Sequence, residues 1–521
     1  MRSSKKTTTV KTTFFSIVLI SFFVISCDDL LEVEGSNSLS GNQLVDGESI
    51  QLALNGAYFN LMGISDGSDG GEMLGGDFQL IAELFVRNDK FGFDFSTDQP
   101  IPQEIFWDES AAPSYENFVN KDIIPTNLRV ESNWRRAYET INLVNNILAN
   151  IDNVENTNDR SRIRGEALAI RGIIYFEMAR LWGPQYTTAT ASTTVLPLIT
   201  DPILTVDEII VPPKSSLEAI YTQAQNDLTT ASGDLAPFGT NGTSISYYAV
   251  EAYLARLHMQ KNEYVDAESH LENILDGTFS LKNAPMDAFN NMSNTSEDIL
   301  AIQQTQGNNT GTPGSGSGLA TLYSSLNGEG LSAFRISPDS RYSDVLYNNP
   351  RFSDIDLRGT LDESTTEETT DVSTAYYRDP INTAIISSAK YLRNTDVVPI
   401  IRLAEVYLNR AECIYEQTGT IDGTALSDLN MIRQRAGLAV LTAGDLNNDP
   451  DQFYDSLIQE RNRELIYEGI IFHDIRRQAA NGYSTGILVG GSAVPLINPL
   501  DPRFILPIPQ SECDASPGLC N

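Results

Sequence analysis

The chain of 521 residues carries 69 acidic residues against 35 basic ones, and its apolar fraction of 41% is that of a folded soluble protein. A net charge of −34 repels nucleic acid and anionic lipid and gives no support to phosphate binding; it suits a neutral or cationic ligand. The length admits a large core and, by the usual prior, about two to four domains.

The N-terminus has a basic segment with Arg2, Lys5 and Lys6, then an apolar run over 14–25, then Ser26-Cys27-Asp28-Asp29. The run is too short to span a bilayer comfortably and reads as a secretory signal over 1–26. Val-Ile-Ser before Cys27 resembles a lipobox, where the signal is cut and the new N-terminal cysteine is lipidated. An ordinary cleaved signal with a stray cysteine is the other reading. Asp28 and Asp29 resemble the acidic residues that follow the cysteine in surface-exported lipoproteins. Removal of 1–26 leaves 31 basic residues against 69 acidic ones, near −38. The expected layout is a lipidated N-terminus and polar tether over 27–47, then one domain over 48–521.

A first helix is expected over 51–62, with Leu52, Ala53, Gly56 and Phe59 inward. Asp66, Ser68 and Gly70 do not complete the alternating-oxygen pattern of a calcium loop, so a turn is expected there. Helix resumes over 78–85. From 87 to 118 helical period is lost while aromatics stay dense: Phe91, Phe93, Phe95, Phe106, Trp107, Tyr115 and Phe118. Such a segment either packs under the core or forms binding loops.

From Ser132, Trp134, Ala137, Tyr138, Ile141 and Val144 make a helical stripe. Asp159 is expected to cap the next helix, whose stripe runs through Ala167, Ile174 and Leu181 to Gly183-Pro184. A helix over 216–231 precedes the stretch 246–279, two amphipathic helices joined by Gln-Lys-Asn-Glu. Ala255 and Ala267 stand twelve apart, the spacing of the small residues in a tetratricopeptide-type hairpin, although an ordinary helical hairpin fits equally well. Either kind must stack on further helices to bury its apolar face.

The region 290–396 is irregular, with a strand expected over 297–302 and a polar surface excursion over 360–374. Helices follow over 399–417 and 424–436. A single long helix is expected over 453–479, its Glu460, Arg461, Arg463, Glu464, Glu468, Arg476 and Arg477 forming ion pairs three or four positions apart. The helical scaffold thus occupies 48–86, 132–280 and 398–480, interrupted by loop-rich insertions over 87–118 and 290–396.

No catalytic constellation emerges. His258, His270 and His473 have no cysteine or histidine partner at metal-ligand spacing, and no motif calls for a cofactor or metal. Cys413, in the middle of a helix, reads as a small buried hydrophobe. Cys513 and Cys520 are either a local disulfide, which an oxidising compartment permits, or two free thiols.

Several strings together resemble one family. RGEALAIRGIIYFEMARLWGPQY, VPIIRLAEVYLNRAECIYE, LNMIRQRAGL, ERNRELIYEGIIFHDIRRQ and FILPIPQSE occur in the order found in the SusD/RagB family, after a lipoprotein start CDDLLEV. The sequence departs from that pattern at Ile470, Ile471 and His473, where members more often carry a charged residue and an aromatic; local core variation is the expected reason. The resemblance implies a mainly α fold of tetratricopeptide-like hairpins with long loop insertions and few short strands, and no enzymatic activity. It also implies an outer-membrane lipoprotein that binds oligosaccharide and works with a TonB-dependent SusC-like transporter. A RagB-like peptide receptor and a scaffold that binds only proteins are the alternatives.

Sugar rings stack their C–H faces on flat aromatics while their hydroxyls seek amide, carboxylate or guanidinium partners. The two insertions hold both kinds of group. Candidates are Trp107, Phe91, Phe93 and Tyr115 beside Asn88, Asp89 and Asp94 in the first, and Tyr323 and Phe334 beside Asn327 and Arg335 in the second. Trp134 and Trp182 fall within helical stripes and are expected in the core.

Overall fold

The computed structural model describes residues 43–62, 73–86, 92–94, 99–101, 105–107, 115–204, 212–239, 243–304, 318–324, 326, 334–336, 355–366, 372–378, 380, 386–483 and 498–520. Three helices open the scaffold: α1 (Gly47–Met62), α2 (Phe78–Val86) and, after strands β1 (Gly92–Asp94), β2 (Gln99–Ile101) and β3 (Ile105–Trp107), the short α3 (Glu116–Asn120). Then come α4 (Leu128–Ala149) and α5 (Thr157–Trp182), strands β4 (Thr194–Pro197) and β5 (Lys214–Ser216), and helices α6 (Leu217–Leu235), α7 (Tyr247–Gln260) and α8 (Tyr264–Ile274). The second insertion contributes β6 (Asp298–Ile302), α9 (Leu319–Tyr323), β7 (Phe334–Ile336), β8 (Leu361–Asp362), β9 (Tyr376–Arg378) and β10 (Ile386–Ser388). Strand β11 (Val398–Arg402) returns the chain to α10 (Leu403–Thr418), α11 (Gly423–Arg435), α12 (Pro450–Leu465), α13 (Ile471–Ala480) and α14 (Gln510–Ala515).

Each helix of the scaffold packs on its sequence neighbour from α4 to α8, and α10 continues the stack on α8 although more than a hundred residues intervene. Helix–helix layering therefore carries the core, and the fold is mainly α with a few short strands. Polar N-caps start the helices: Asn127, Ser216 and Ser246 accept backbone N–H bonds at the starts of α4, α6 and α7. Asn156 caps α5, and Asp159 lies inside its first turn, near the positive end of the helix dipole. Ala255 and Ala267 are fully buried where α7 and α8 meet, and Cys413, Trp134 and Trp182 are in the core as expected. On α1 the buried stripe is Ile50, Ala53, Leu54, Ala57 and Leu61, while Leu52 is 57% exposed. The 3.6-residue period favours that stripe, and a sequence reading that starts at Leu52 is rotated from it by about 100°.

The α5–α6 contact is close because α5 presents glycine to it. A Cβ on Gly172 would sit 3.0 Å from the Ala224 carbonyl oxygen and 3.0 Å from Leu228. On either side, Arg171 clamps Asp227 with bonds of 2.8 and 2.7 Å, and Arg164 holds Asp234.

Two expected helices are redrawn by the structure. Residues 398–402 are strand β11, paired antiparallel with β6, and helix begins only at Leu403. All five residues of the strand are buried, which a run of apolar residues satisfies in either conformation. The expected helix over 453–479 breaks between Leu465 and Ile471, where Tyr467 and Gly469 take positive φ values of 70° and 74°. Gly469 passes so close to α2 that a Cβ would lie 2.5 Å from the Gln79 Cα. Only glycine suits both that conformation and that approach. Ile470, Ile471 and His473, just beyond the break, are buried.

The charges of this segment mostly pair at long range. Arg402, fully buried, bonds Glu297 at 2.6 Å, Glu464 at 3.1 Å and Glu468 at 2.7 Å. Arg435 joins Glu297 and Glu464, and Arg358 joins Asp356 at 2.9 Å and Glu460 at 2.7 Å. Burial opposes ionisation of Glu464, but Arg435, Arg402, Arg358 and Lys390 outweigh it and hold its carboxyl well below the usual range. Three-residue spacings survive only as accessory contacts: Arg463 to Glu460 at 3.5 Å and Arg477 to Asp474 at 3.1 Å. The C-terminal tail is closed by a disulfide between Cys513 and Cys520.

Candidate carbohydrate-binding face

The two insertions meet in one five-stranded sheet of order β3-β7-β10-β9-β8. Strand β3 comes from the first insertion and the rest from the second. The β3–β7 register is antiparallel, with Ile105 opposite Ile336, Phe106 opposite Arg335 and Trp107 opposite Phe334. Strand β10 pairs with β7 through Ile386 and Ile336, and with β9 through Ser387 and Tyr377 and through Ser388 and Tyr376. Strand β8 adds a parallel edge.

Charge fixes this sheet to the scaffold. Two residues past β10, the Lys390 ammonium donates to the Glu464 and Ile466 carbonyls at 2.9 and 2.8 Å, and to the Glu468 carboxylate at 2.6 Å. A lysine thereby caps the C-terminal end of α12, where helix carbonyls lack intrahelical donors. Burial lowers the Lys390 pKa despite Glu468 alongside. Apolar packing does the rest: Leu326, Val372, Tyr377, Ala389 and Leu392 form a small cluster of buried residues around the sheet.

Tyr115 and Tyr323, two of the expected stacking rings, are fully buried and offer no face to a ligand. The Tyr115 hydroxyl donates to Asp77, and the Arg129 guanidinium lies 4.6 Å from the ring centroid. Tyr323 packs tilted against Tyr391 and edgewise against Tyr467, with centroids 5.5 and 5.6 Å apart. Both therefore anchor irregular segments onto the core, where each ring buries a large apolar area. Strand pairing sets Trp107 opposite Phe334, while Arg335 is opposite Phe106, one position along and hence on the other face. Phe93 and Asp94 fall on β1, which pairs with β2 alone and stands outside the five-stranded sheet. Phe91, Asn88, Asp89 and Asn327 lie outside the described residues, as does Cys27. Sequence reasoning missed β9, β10 and the Lys390 anchor. The Tyr376-Tyr377 pair, aromatics favoured in strands, was the available signal for β9, but it is too short to separate from a loop.

Three partly open pockets among the described residues have volumes of about 10, 20 and 20 Å³, each water-sized. The first is lined by Phe289, Tyr376, Lys390 and Tyr467. Among the described residues no helix is long and apolar enough to cross a membrane.

A helical stack carrying a sheet built from two insertions defines the tetratricopeptide-like, loop-decorated class of fold. Comparison with known proteins gives that class its family. Residues 355–521 match the model described as "SusD family", and residues 79–259 match one described as "Starch-binding associating with outer membrane". SusD-like protein P38 of Formosa agariphila is 23% identical over 98% of this chain and 99% of its own length, and SusD-like protein P25 of the same organism is 24% identical over 76% and 79%. Among solved structures, a SusD superfamily protein from Bacteroides fragilis matches with a TM-score of 0.72 at 21% identity, covering 92% of this chain and 100% of that one. A SusD-like carbohydrate binding protein from Bacteroides vulgatus matches with a TM-score of 0.68 at 19% identity, covering 91% and 97%. The chain belongs to the SusD/RagB family, whose members are binding proteins and not enzymes, and which is associated with the outer membrane.

Proposed function

We propose that this protein is a cell-surface lipoprotein, anchored through Cys27, that captures oligosaccharide and passes it to a SusC-like TonB-dependent transporter. The family description supports a glycan ligand and the outer membrane, and the lipobox-like ending before Cys27 supports the anchor. The strongest support for the capture face is the register that sets Trp107 opposite Phe334 and Phe106 opposite Arg335. Directly opposed positions of an antiparallel pair lie on one face of a sheet, so aromatic positions from two distant insertions become neighbours. Two aromatic positions on one face suit the C–H face of a pyranose ring, while Arg335, paired with Phe106, belongs to the opposite face of the sheet. Asn88, Asp89, Asp94, Phe91, Phe93 and Asn327 belong to the same insertions and would supply further contacts.

Affinity electrophoresis against neutral and charged polysaccharides tests this reading. Retardation by at least one glycan, reduced tenfold or more in Trp107→Ala with an unchanged melting temperature, is the expected result. Tight peptide binding without retardation by any glycan would replace it with peptide capture.

A further inference from the structure

The turn between α7 and α8 gathers one imidazole and two carboxylates. Asn262 takes a left-handed φ of 62°, and the chain reverses so that the Glu263 N–H donates to the His258 carbonyl at 2.9 Å. This reversal returns positions 263 and 266 to the last turn of α7. The donor atoms of His258, Glu263 and Asp266 all lie within 4.8 Å of one another. Tetrahedral zinc, with bonds of about 2.0–2.2 Å, holds its donors about 3.4 Å apart, so small rotamer changes close the set.

Two further observations show that the His258 ring and the Glu263 carboxylate face each other. Glu263 occupies the N-cap position of α8 but makes no side-chain cap bond. Its carboxylate is instead held between Lys261, 2.9 Å from Oε1, and His258 Nδ1, 2.7 Å from Oε2. The lysine thus fixes the carboxylate with one oxygen turned to the imidazole. His258 is 5% exposed, and its ring stacks on that of His270 at 5.4 Å and 18°. His270 is engaged elsewhere: its Nδ1 meets Glu251 at 2.8 Å, and Glu251 also accepts from Asn273 and Ser232. It serves as a wall that restricts the rotation of His258. Asp266 is exposed and leaves the fourth side open to water.

We propose that His258, Glu263 and Asp266 bind one divalent transition-metal cation of the zinc class, with water as the remaining ligand. Imidazole selects zinc, cobalt, nickel or copper over calcium and magnesium, which prefer oxygen alone. On binding, the metal takes the position at Nδ1 that faces Glu263, and the neutral ring carries its one proton on Nε2, so the ring loses no net proton. Burial lowers the His258 pKa, so the ring is neutral near pH 7 and its lone pair is open to a metal. The strongly negative surface raises the local concentration of cations. A metal here would clip α7 to the first turn of α8, the pair on which α10 stacks.

The test is a Co²⁺ titration of the purified full-length protein followed by visible absorption, with Zn²⁺ as competitor. One equivalent of Co²⁺ should give a saturable band that Zn²⁺ abolishes. Asp266→Asn and Glu263→Gln should each weaken the affinity by about 10-fold or more. Asp266 is exposed and its variant keeps the fold, so the result does not depend on whether a His258 variant is stable. No saturable band up to about 1 mM Co²⁺, or equal affinity in wild type and both carboxylate variants, would overturn the site.

Discussion

The α5–α6 seam and the seam between the second insertion and α12 are both buried, both carry arginine and carboxylate, and are built in different ways. At α5–α6 the backbones come close over Gly165 and Gly172, and each arginine has its own aspartate: Arg171 with Asp227, Arg164 with Asp234. At the insertion seam, carboxylates are shared. Glu464 serves Arg402, Arg435 and Arg358, and Glu297 serves Arg402 and Arg435. Two regular helices with small residues at the contact find their register through shape. A loop-rich insertion has no repeating surface to interdigitate, and directional charge pairs hold it in one arrangement. The same cluster holds Lys390 and with it the sheet of the proposed capture face, so electrostatics in the core positions that sheet.

The comparison is broken most sharply at Arg402. Arg402→Met leaves Glu297, Glu464 and Glu468 buried with fewer partners and should cost about 3–5 kcal/mol in urea unfolding, because an uncompensated buried charge is expensive. Glycan retardation should fall with it if the sheet is displaced. Gly172→Leu attacks the other seam, where the new side chain meets Leu228 and the Ala224 carbonyl. The expected cost is about 1–3 kcal/mol, with glycan retardation preserved below the melting temperature.

His473 is fully buried, and burial together with Arg180, Arg476 and Arg256 lowers its pKa well below 6.5. The unfolded chain therefore binds a proton that the folded state refuses. Stability is fully present above about pH 6.5 and falls as the pH drops below it, by no more than about 1.4 kcal/mol per unit for one group. His258, lowered mainly by burial, adds the same sign. Glu464 and Asp474, whose carboxyls are held low by arginines against the effect of burial, extend the loss below about pH 4.5. His473→Gln should flatten the stability profile between pH 5 and 6.5 and leave the loss below pH 4.5 in place. An unchanged slope there would assign the acid sensitivity elsewhere.

Much of the scaffold was legible because helices of two to seven turns leave a 3.6-residue record. The hairpin of α7 and α8, the core tryptophans, the buried Cys413 and the strand β6 could all be read from apolar spacing. The charged string from Glu460 to Arg477 shows where such reading stops. Its spacing matches an exposed helix with local ion pairs, yet its partners lie as far away as Glu297 and Lys390, and sequence spacing is silent about contacts at that separation. Tyr115 and Tyr323 failed as ligand contacts for a related reason, since an aromatic in an irregular segment looks the same whether its ring faces core or solvent.

The order of residues alone determined that this chain is a stack of amphipathic helices interrupted twice, and which family it resembles, because periodicity and motif order are properties of the linear string. Only the tertiary structure decided that the two interruptions share a sheet with Trp107 opposite Phe334, and that a shared cluster of buried charges seats that sheet on α12. Strands of three residues bury too little to declare themselves locally, and they exist because distant partners complete their hydrogen bonds.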